Sequence, residues 1–264
     1  HTMKSRAQVE NAIYNPLLMG VPAALGGVIV RDEPAYSEFA GCKIVKDILG
    51  EMLPDILYHA NLFPDYATAD QLYNRASGIP ALPEKGYSYE QYVKDYIEVY
   101  RPQILSYDYY PMSGREGEIK DGYFKNMSVI RTQAAEAEIP FWVYIQTCSF
   151  HESVRVPNES EIQWLVNTSL AYGAKGIQYF TYFLPNDSGE IFHGSMIDRE
   201  GKKTPIYDYV KKVNGQIAAV DEILMCSFSR GVIVTGDTPC EIPEKDTISS
   251  YGALDGVSAL HTLT

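Results

Sequence analysis

Residues 26–34 read GGVIVRDEP, an apolar run that ends in two adjacent carboxylates and a proline. The run has the length of a β-strand. One interpretation is a strand followed by a helix, whose first turn holds Asp32 and Glu33 near its positive dipole end and Pro34 near its first position. The other is that the two acids belong to a functional site. The rest of the sequence has to decide between these interpretations.

Four more apolar runs of similar length follow along the chain. They are nearly continuous in apolar residues, which is typical of parallel strands buried on both faces. The runs are DILYHANLFP (55–64), QILSYDYYPM (103–112), PFWVYIQTCS (140–149) and KGIQYFTYFLP (175–185). We predict adjacent parallel strands of one sheet, joined by right-handed helical crossovers, over 26–32, 55–60, 103–108, 140–146 and 175–182.

Helix-start signals lie between these runs and after the last of them. Each is a polar N-cap residue followed by a residue that suits the first turn. The pairs are Ser88 with Gln91, Asn158 with Glu161, and Thr204 with Pro205. Gly173 marks the end of the second of these helices. Strands that alternate with helices in this way predict an α/β fold.

All five runs end in polar or aromatic residues. These residues are Asp32 and Glu33; His59 and Asn61; Tyr107, Asp108 and Tyr109; Gln146; and Thr181 and Tyr182. In a (β/α)8 TIM barrel the active site lies at the C-terminal ends of the strands. No GxGxxG or GxxxxGK[ST] motif follows a run, so a nucleotide-binding sheet is not indicated. We therefore predict a fold of the barrel type.

Composition limits the partners. The 264 residues carry a formal charge of −12, which disfavours nucleic acid and anionic membrane surfaces. No apolar run is long enough to span a membrane. The four cysteines show no metal-site spacing, and no HExxH or GxSxG motif occurs, so we expect neither a metal nor another cofactor. The oligomeric state and the compartment stay open, with an extracellular or periplasmic location favoured.

The strand ends resemble those of clan A glycoside hydrolases. GGVIVRDEP looks like their fourth barrel strand, which ends in Asn-Glu-Pro with the glutamate as general acid/base. LAYGAKGIQYFTYFLP (170–185) is similar to their eighth strand, and GSMIDREGKKTPIYDYVKKVNGQI (194–217) to the segment after it in β-galactosidase-like members. The resemblance covers about residues 20 to 220. It implies a glycosidase barrel followed by a β-sandwich domain.

The sequence departs from the family pattern at two positions. Asp32 stands where the family has asparagine, and Gln146 stands where the seventh strand ends in the nucleophilic glutamate. A glutamine cannot serve as nucleophile at an anomeric carbon, so the retaining mechanism through that position is not expected.

The resemblance also bears on domain organisation. If GGVIVRDEP is the fourth strand, about 25 residues precede it and strands one to three have no sequence here. We therefore expect a partial barrel of about strands 4 to 8 over residues 1–225, as part of a longer protein or alone. Residues 226–264 are interpreted as the start of a β-rich domain.

The expected chemistry centres on Glu33 as general acid. The neighbouring charge of Asp32 and apolar walls favour a protonated Glu33. Asp108 is the candidate base of an inverting reaction, which needs two carboxyl groups roughly 6.5–9.5 Å apart. Asp32 could orient Arg31 or bind a sugar hydroxyl. The other candidate substrate-binding residues are His59, Asn61, Tyr107, Tyr109, Trp142, Gln146 and Tyr182.

We expect Glu33, Asp108 and Gln146 to meet in one concave pocket lined by tyrosines. Three functions stay open: a glycoside hydrolase acting on an oligosaccharide or glycoside, a carbohydrate-binding barrel without activity, and a structural domain. The sequence does not give the sugar, the linkage or the stereochemical outcome.

Overall fold

The computed structural model divides the chain into two compact units. The first unit comprises His1–Tyr107 and Gln133–Pro140, and the second comprises Asp108–Thr132 and Phe141–Thr264. The structure describes residues 5–14, 25–73, 86–116, 118–187, 189–234, 238, 240–247 and 262–263.

A five-stranded sheet carries the fold. Its strands are β1 (Gly27–Asp32), β2 (Leu57–Leu62), β3 (Leu105–Asp108), β4 (Phe141–Gln146) and β6 (Gly176–Phe180), in the order β1-β2-β3-β4-β6. β1 pairs in parallel with β2, β2 with β3, and β4 with β6. The predicted strand segments and their order in one parallel sheet are therefore confirmed.

Two small pairings lie outside this sheet. β5 (Cys148–Ser149) is antiparallel to β7 (His193–Gly194), and β8 (Ile233–Val234) is parallel to β9 (Thr262–Leu263). Most of residues 248–264 lie outside the described residues, so the β-rich domain and its boundary at residue 225 stay predictions.

Helices precede, separate and follow the strands of the sheet. Within the described residues they are α1 (Arg6–Tyr14), α2 (Tyr36–Met52), α3 (Ala69–Tyr73), α4 (Tyr89–Tyr100), α5 (Tyr123–Glu136), α6 (Glu159–Ala171), α7 (Pro205–Ala218) and α8 (Asp221–Cys226). The predicted N-caps are confirmed, because the side chains of Ser88, Asn158 and Thr204 each accept a backbone N–H of the following turn. Gly173 follows α6 with φ +98°, a conformation that glycine adopts without strain.

Tyrosines supply much of the core of the first unit. Phe39 on α2 lies 5.3 Å between ring centroids from both Tyr92 and Tyr96 on α4. On β2, Tyr58 donates its hydroxyl to the carbonyls of Leu49 and Leu53 at the end of α2. Aromatic rings thus bury a large area while their hydroxyl groups find backbone partners.

Aromatic packing also joins helices of the second unit. The ring of Phe124 on α5 stacks on Tyr172 at the end of α6, with centroids 5.7 Å apart. Tyr123 shares a 3.1 Å hydrogen bond with Thr168 on α6. These contacts pack the start of α5 against α6.

The expectation that the first strand is buried on both faces is wrong. An uninterrupted apolar run predicts a strand covered on both faces, but Ile29 in β1 is 46% exposed and Arg31 and Asp32 are exposed. β1 stands at the end of the strand order, with β2 as its neighbour. An edge position leaves side chains in contact with solvent that a central strand would bury.

Candidate functional site

The turn that contains Glu33 lies between β1 and α2. Asp32 is the last residue of β1, and α2 begins at Tyr36, with Glu38 as the acid of its first turn. The interpretation that Asp32 and Glu33 occupy the first turn of a helix is therefore wrong. Glu33 has φ +45°, a left-handed conformation that costs a residue with a side chain about 1–2 kcal/mol.

Backbone and side-chain contacts of the first unit hold this turn. The N–H of Glu33 donates to the carbonyl of Asn61 at 2.8 Å, and the hydroxyl of Tyr92 donates to the carbonyl of Pro34 at 2.7 Å. The N–H of Ala35 donates to the Glu38 carboxylate at 2.9 Å. Glu33 is thus bracketed by hydrogen bonds on its own residue and on the two that follow.

Arg31 and Asp32 have different partners. The guanidinium of Arg31 donates to Oε1 of Glu38 at 2.9 Å. Asp32 instead accepts from Nδ2 of Asn61 at 3.2 Å. The Arg31 charge is therefore satisfied on the α2 side of the turn, while Asp32 is held from β2.

A chain of side-chain hydrogen bonds crosses three strands. Oγ of Ser106 on β3 donates to Oδ1 of Asn61 at 3.0 Å, and Nδ2 of Asn61 donates to Asp32. The register pairs Asp32 with Asn61 and Asn61 with Ser106, so the three residues form a row along the sheet. This row orients Asn61 so that its amide donor, and not its carbonyl, faces the Asp32 carboxylate.

His59 lies two residues before Asn61 on the same face of β2. It is buried, and burial lowers the pKa of its imidazole below the usual value of 6.5. A neutral ring at this position can donate from one nitrogen and accept at the other. That chemistry suits a hydroxyl-binding role, which stays a prediction.

Tyr107 and Asp108 point to opposite faces of β3, because side chains alternate along a strand. Tyr107 pairs in register with Leu62 and is 0% exposed. Its ring therefore has no accessible face for a sugar in this structure. Asp108 shares its face with Ser106 and is also buried, at 7% exposure.

The amide of Gln146 binds backbone. Its Oε1 accepts from the N–H of Met112 at 3.0 Å, and its Nε2 donates to the carbonyl of Arg155 at 2.6 Å. The side chain is fully buried. The residue at the expected nucleophile position thus joins two loops of the second unit, the one after β3 and the one before α6.

The remaining aromatic candidates differ in exposure. Tyr109 is buried and donates its hydroxyl to the carbonyl of Asp121 at 2.6 Å. Trp142 is half-buried, and its ring covers Gly176, where a Cβ would lie 2.4 Å from ring atoms. Tyr182 is 58% exposed. Of these three, Tyr182 offers the most ring surface to a ligand.

The candidates are divided between the two units. Asp32, Glu33, His59, Asn61 and Tyr107 belong to the first, and Asp108, Tyr109, Trp142, Gln146 and Tyr182 belong to the second. A single pocket that holds Glu33, Asp108 and Gln146 therefore stays a prediction.

Three residues of this region were missed by sequence reasoning: Ser106, Tyr92 and Glu38. Ser106 lies in an apolar run two residues before Asp108, so strand alternation could have placed it on the same face. Glu38 follows Ala35 by three residues, the spacing of a capping residue, but alanine is a poor N-cap and gave no signal. Tyr92 recurs with Tyr89, Val93 and Tyr96 on one face of a helix, a pattern that indicates core packing and not a contact with this turn.

Among the residues that the structure describes, no group of three or more His, Cys, Asp or Glu side chains could hold a metal ion. No helix in the same part of the chain is both long enough and apolar enough to cross a membrane.

Comparison with known proteins relates this geometry to one family. The family model of Glyco_hydro_42, described as β-galactosidase, matches residues 80–220. The β-galactosidase from the psychrophilic Marinomonas ef1 matches 75% of this chain and 30% of its own, with a TM-score of 0.50 and 12% identity. The β-galactosidase from Bacillus circulans sp. alkalophilus matches 75% of this chain and 26% of its own, with a TM-score of 0.51 and 15% identity. The comparison with curated proteins gives no match.

These matches agree with the parallel sheet. At such low identity the structural likeness concerns the fold, and it confirms the predicted α/β fold of the (β/α)8 type, present in part. The chain spans less than a third of the length of these two solved proteins.

Proposed function

The chain belongs to the glycoside hydrolase 42 family of β-galactosidases, and from this premise we propose that it hydrolyses O-glycosidic bonds of a carbohydrate. The family model covers more than half of the chain, which implies a carbohydrate substrate. Because the names of the solved relatives specify β-galactosides, those sugars are the first substrates to test.

The observation that carries the proposal is the conformation of Glu33. A residue with a side chain is held at φ +45° directly after a strand of the sheet. Strained backbone of this kind occurs preferentially at active sites, where surrounding contacts maintain it. The strain supports a functional role for this carboxyl rather than a role in starting a helix.

In the proposed mechanism Glu33 is the general acid. It donates its proton to the glycosidic oxygen as the bond to the anomeric carbon breaks. Asp108 is the proposed general base, which takes a proton from the attacking water so that the configuration inverts. Asp32, held by Asn61, accepts a hydrogen bond from a sugar hydroxyl.

Substitution of Glu33 by glutamine tests the acid. The variant keeps the shape and loses the proton, so turnover of a β-galactoside with a poor leaving group should fall by roughly 10²–10⁴. An activated aryl β-galactoside needs less protonation and should lose less. Initial rates on both substrates measure the difference.

A matched control is Glu152→Gln, which removes an exposed loop carboxyl of the second unit. We expect it to keep wild-type rates. A Glu33→Gln variant with wild-type turnover of both substrates would contradict the acid role. An Asp108→Asn variant with wild-type turnover would contradict the base.

The second candidate function is carbohydrate binding without hydrolysis. The contacts of Gln146 favour it, since the amide is committed to backbone groups and supplies no nucleophile. If the wild-type protein binds galactosides in a calorimetric titration but shows no turnover, this function replaces the first.

A further inference from the structure

Two side chains that are not among the candidate acids contact the turn of Glu33. Tyr92 on α4 is fully buried, and its hydroxyl lies 2.7 Å from the Pro34 carbonyl and 3.5 Å from the N–H of Phe63 at the end of β2. Glu38 on α2 receives the N–H of Ala35 on Oε2 and the guanidinium of Arg31 on Oε1, each at 2.9 Å. Both side chains therefore form hydrogen bonds with the backbone next to Glu33.

The turn needs such contacts because its conformation is unfavourable twice over. A left-handed φ brings the Cβ of a residue with a side chain too close to its own backbone. A residue before proline is further restricted to extended conformations, because the proline ring clashes with it in other regions. Glu33 precedes Pro34 and has φ +45°. Without external contacts, the turn would relax towards an extended backbone.

We propose that Tyr92 and Glu38 are positioning residues that hold this strained turn and thereby aim the Glu33 carboxyl. The proposal rests on the proposed function for its catalytic consequence, but the strain itself can be measured without any activity. Neither residue touches the substrate. They act by fixing the carbonyl of Pro34 and the N–H of Ala35, the groups that follow Glu33 along the chain.

The catalytic consequence follows from geometry. An acid must lie within hydrogen-bond reach of the glycosidic oxygen, and a displacement of about 1 Å can reduce turnover by about 100-fold. Tyr92→Phe removes one hydroxyl and keeps the ring in the core. Glu38→Gln keeps the length of the side chain. Its amide has a single oxygen, so it cannot accept the N–H of Ala35 and the guanidinium of Arg31 on two separate oxygens as the carboxylate does.

The matched control is Tyr58→Phe. Tyr58 is also buried in the first unit, and its hydroxyl also donates to backbone carbonyls, those of Leu49 and Leu53. These carbonyls lie at the end of α2, whereas the Glu33 turn lies before its start. Tyr58→Phe and Tyr92→Phe therefore both remove a buried hydroxyl, but only Tyr92→Phe removes a contact with the Glu33 turn.

The first measurement concerns strain. In the wild-type background, Glu33→Gly should melt about 2–4 °C higher than Glu33→Ala, because glycine accepts a left-handed φ. In the Tyr92→Phe and Glu38→Gln backgrounds the turn can relax, so this gap should shrink by at least half. In the Tyr58→Phe background the difference in melting temperature between Glu33→Gly and Glu33→Ala should equal that in the wild-type background. A gap that Tyr92→Phe and Glu38→Gln leave unchanged would overturn the proposal, whether or not the protein hydrolyses glycosides.

The second measurement concerns turnover. Tyr92→Phe should lower kcat on a poor leaving group by about 10-fold to 100-fold, with KM changed less than about twofold and a smaller loss on activated aryl galactosides. Tyr58→Phe should keep the wild-type kcat. If Glu33→Gln lowers turnover and Tyr92→Phe does not, the positioning role is wrong while the proposed function stands. If Glu33→Gln has no effect on turnover but the melting gap shrinks as expected, Tyr92 and Glu38 hold the strained turn and the acid role of Glu33 is wrong.

Discussion

His59 couples the stability of the first unit to pH. The imidazole is buried on β2, and burial lowers its pKa below 6.5. In the unfolded chain the ring titrates near the ordinary value, so below about pH 6.5 the unfolded state binds a proton that the folded state binds less readily. Its contribution to stability is therefore present above that pH and is lost as the pH falls.

Replacing His59 by glutamine should flatten this pH dependence. Between pH 7.5 and 5.5 the wild-type free energy of unfolding should fall more steeply than that of His59→Gln, by up to about 1.4 kcal/mol per pH unit below the unfolded pKa. Urea unfolding at several pH values measures both slopes. His151→Gln, at an exposed position, should keep the wild-type slope. Equal slopes for the wild type and His59→Gln would contradict the burial argument.

At the scale of elements, the end of β4 is a junction between loops. Gln146 uses its carbonyl for the N–H of Met112 and its amide for the carbonyl of Arg155. Arg155 in turn forms an ion pair with Glu161 in the first turn of α6 and donates to the carbonyls of Ser113 and Arg115. The loop after β3 is thus fastened to β4 and to α6 through polar contacts.

Gln146→Glu restores the residue type that the family resemblance implies, yet we expect it to destabilise the protein. The ionised carboxylate would face the Arg155 carbonyl without a donor, and an unsatisfied buried group of this kind costs about 3 kcal/mol. Burial raises the pKa of a carboxyl, so the folded state would bind the proton more tightly than the unfolded state. The loss should therefore be largest at neutral pH and should diminish as the pH falls.

Chemical unfolding at pH 7.5 and pH 5 checks this expectation. Gln163→Glu is the control, since the amide of Gln163 bonds to Gln216 at the surface and little should change there. A Gln146→Glu variant as stable as the wild type at pH 7.5 would show that the position tolerates a carboxylate. It would also make a nucleophile at this position physically reasonable.

The elements were predictable from the sequence to the extent that local signals determine them. Apolar runs placed the five strands, and the side chains of Ser88, Asn158 and Thr204 placed three helix starts. The left-handed backbone of Glu33 was not predictable, because no local signal favours that conformation before proline. The contacts of Asn61 with Asp32 and Ser106, and of Gln146 with Met112 and Arg155, depend on strand order and loop paths. The site was therefore predicted as a set of residue types, without their partners.

At the scale of the whole molecule, two cations bind residues that follow α7 to earlier elements of the same, second unit. Nζ of Lys175, just before β6, donates to the carbonyls of Leu224 and Ser227 at the end of α8. Arg131 on α5 pairs with Asp246 at 3.3 Å and donates to the carbonyl of Ser229 at 3.3 Å. Residues on both sides of position 225 are therefore bound to helices and strands of this unit.

Arg131→Met tests how strongly residues 226–247 are integrated. Arg131 and Asp246 keep only 14% and 5% of their side chains exposed, so the variant leaves a buried carboxylate without its cation. Such a loss costs about 3–5 kcal/mol, whereas an exposed pair contributes about 1 kcal/mol or less. Arg199→Met, which breaks the exposed pair with Asp187, is the matched control and should change stability little. If the segment folds with the second unit, Arg131→Met lowers the midpoint of its main unfolding transition. If that midpoint stays and a separate low-temperature transition appears instead, residues 226–247 fold as a separate domain, as the boundary at residue 225 predicts.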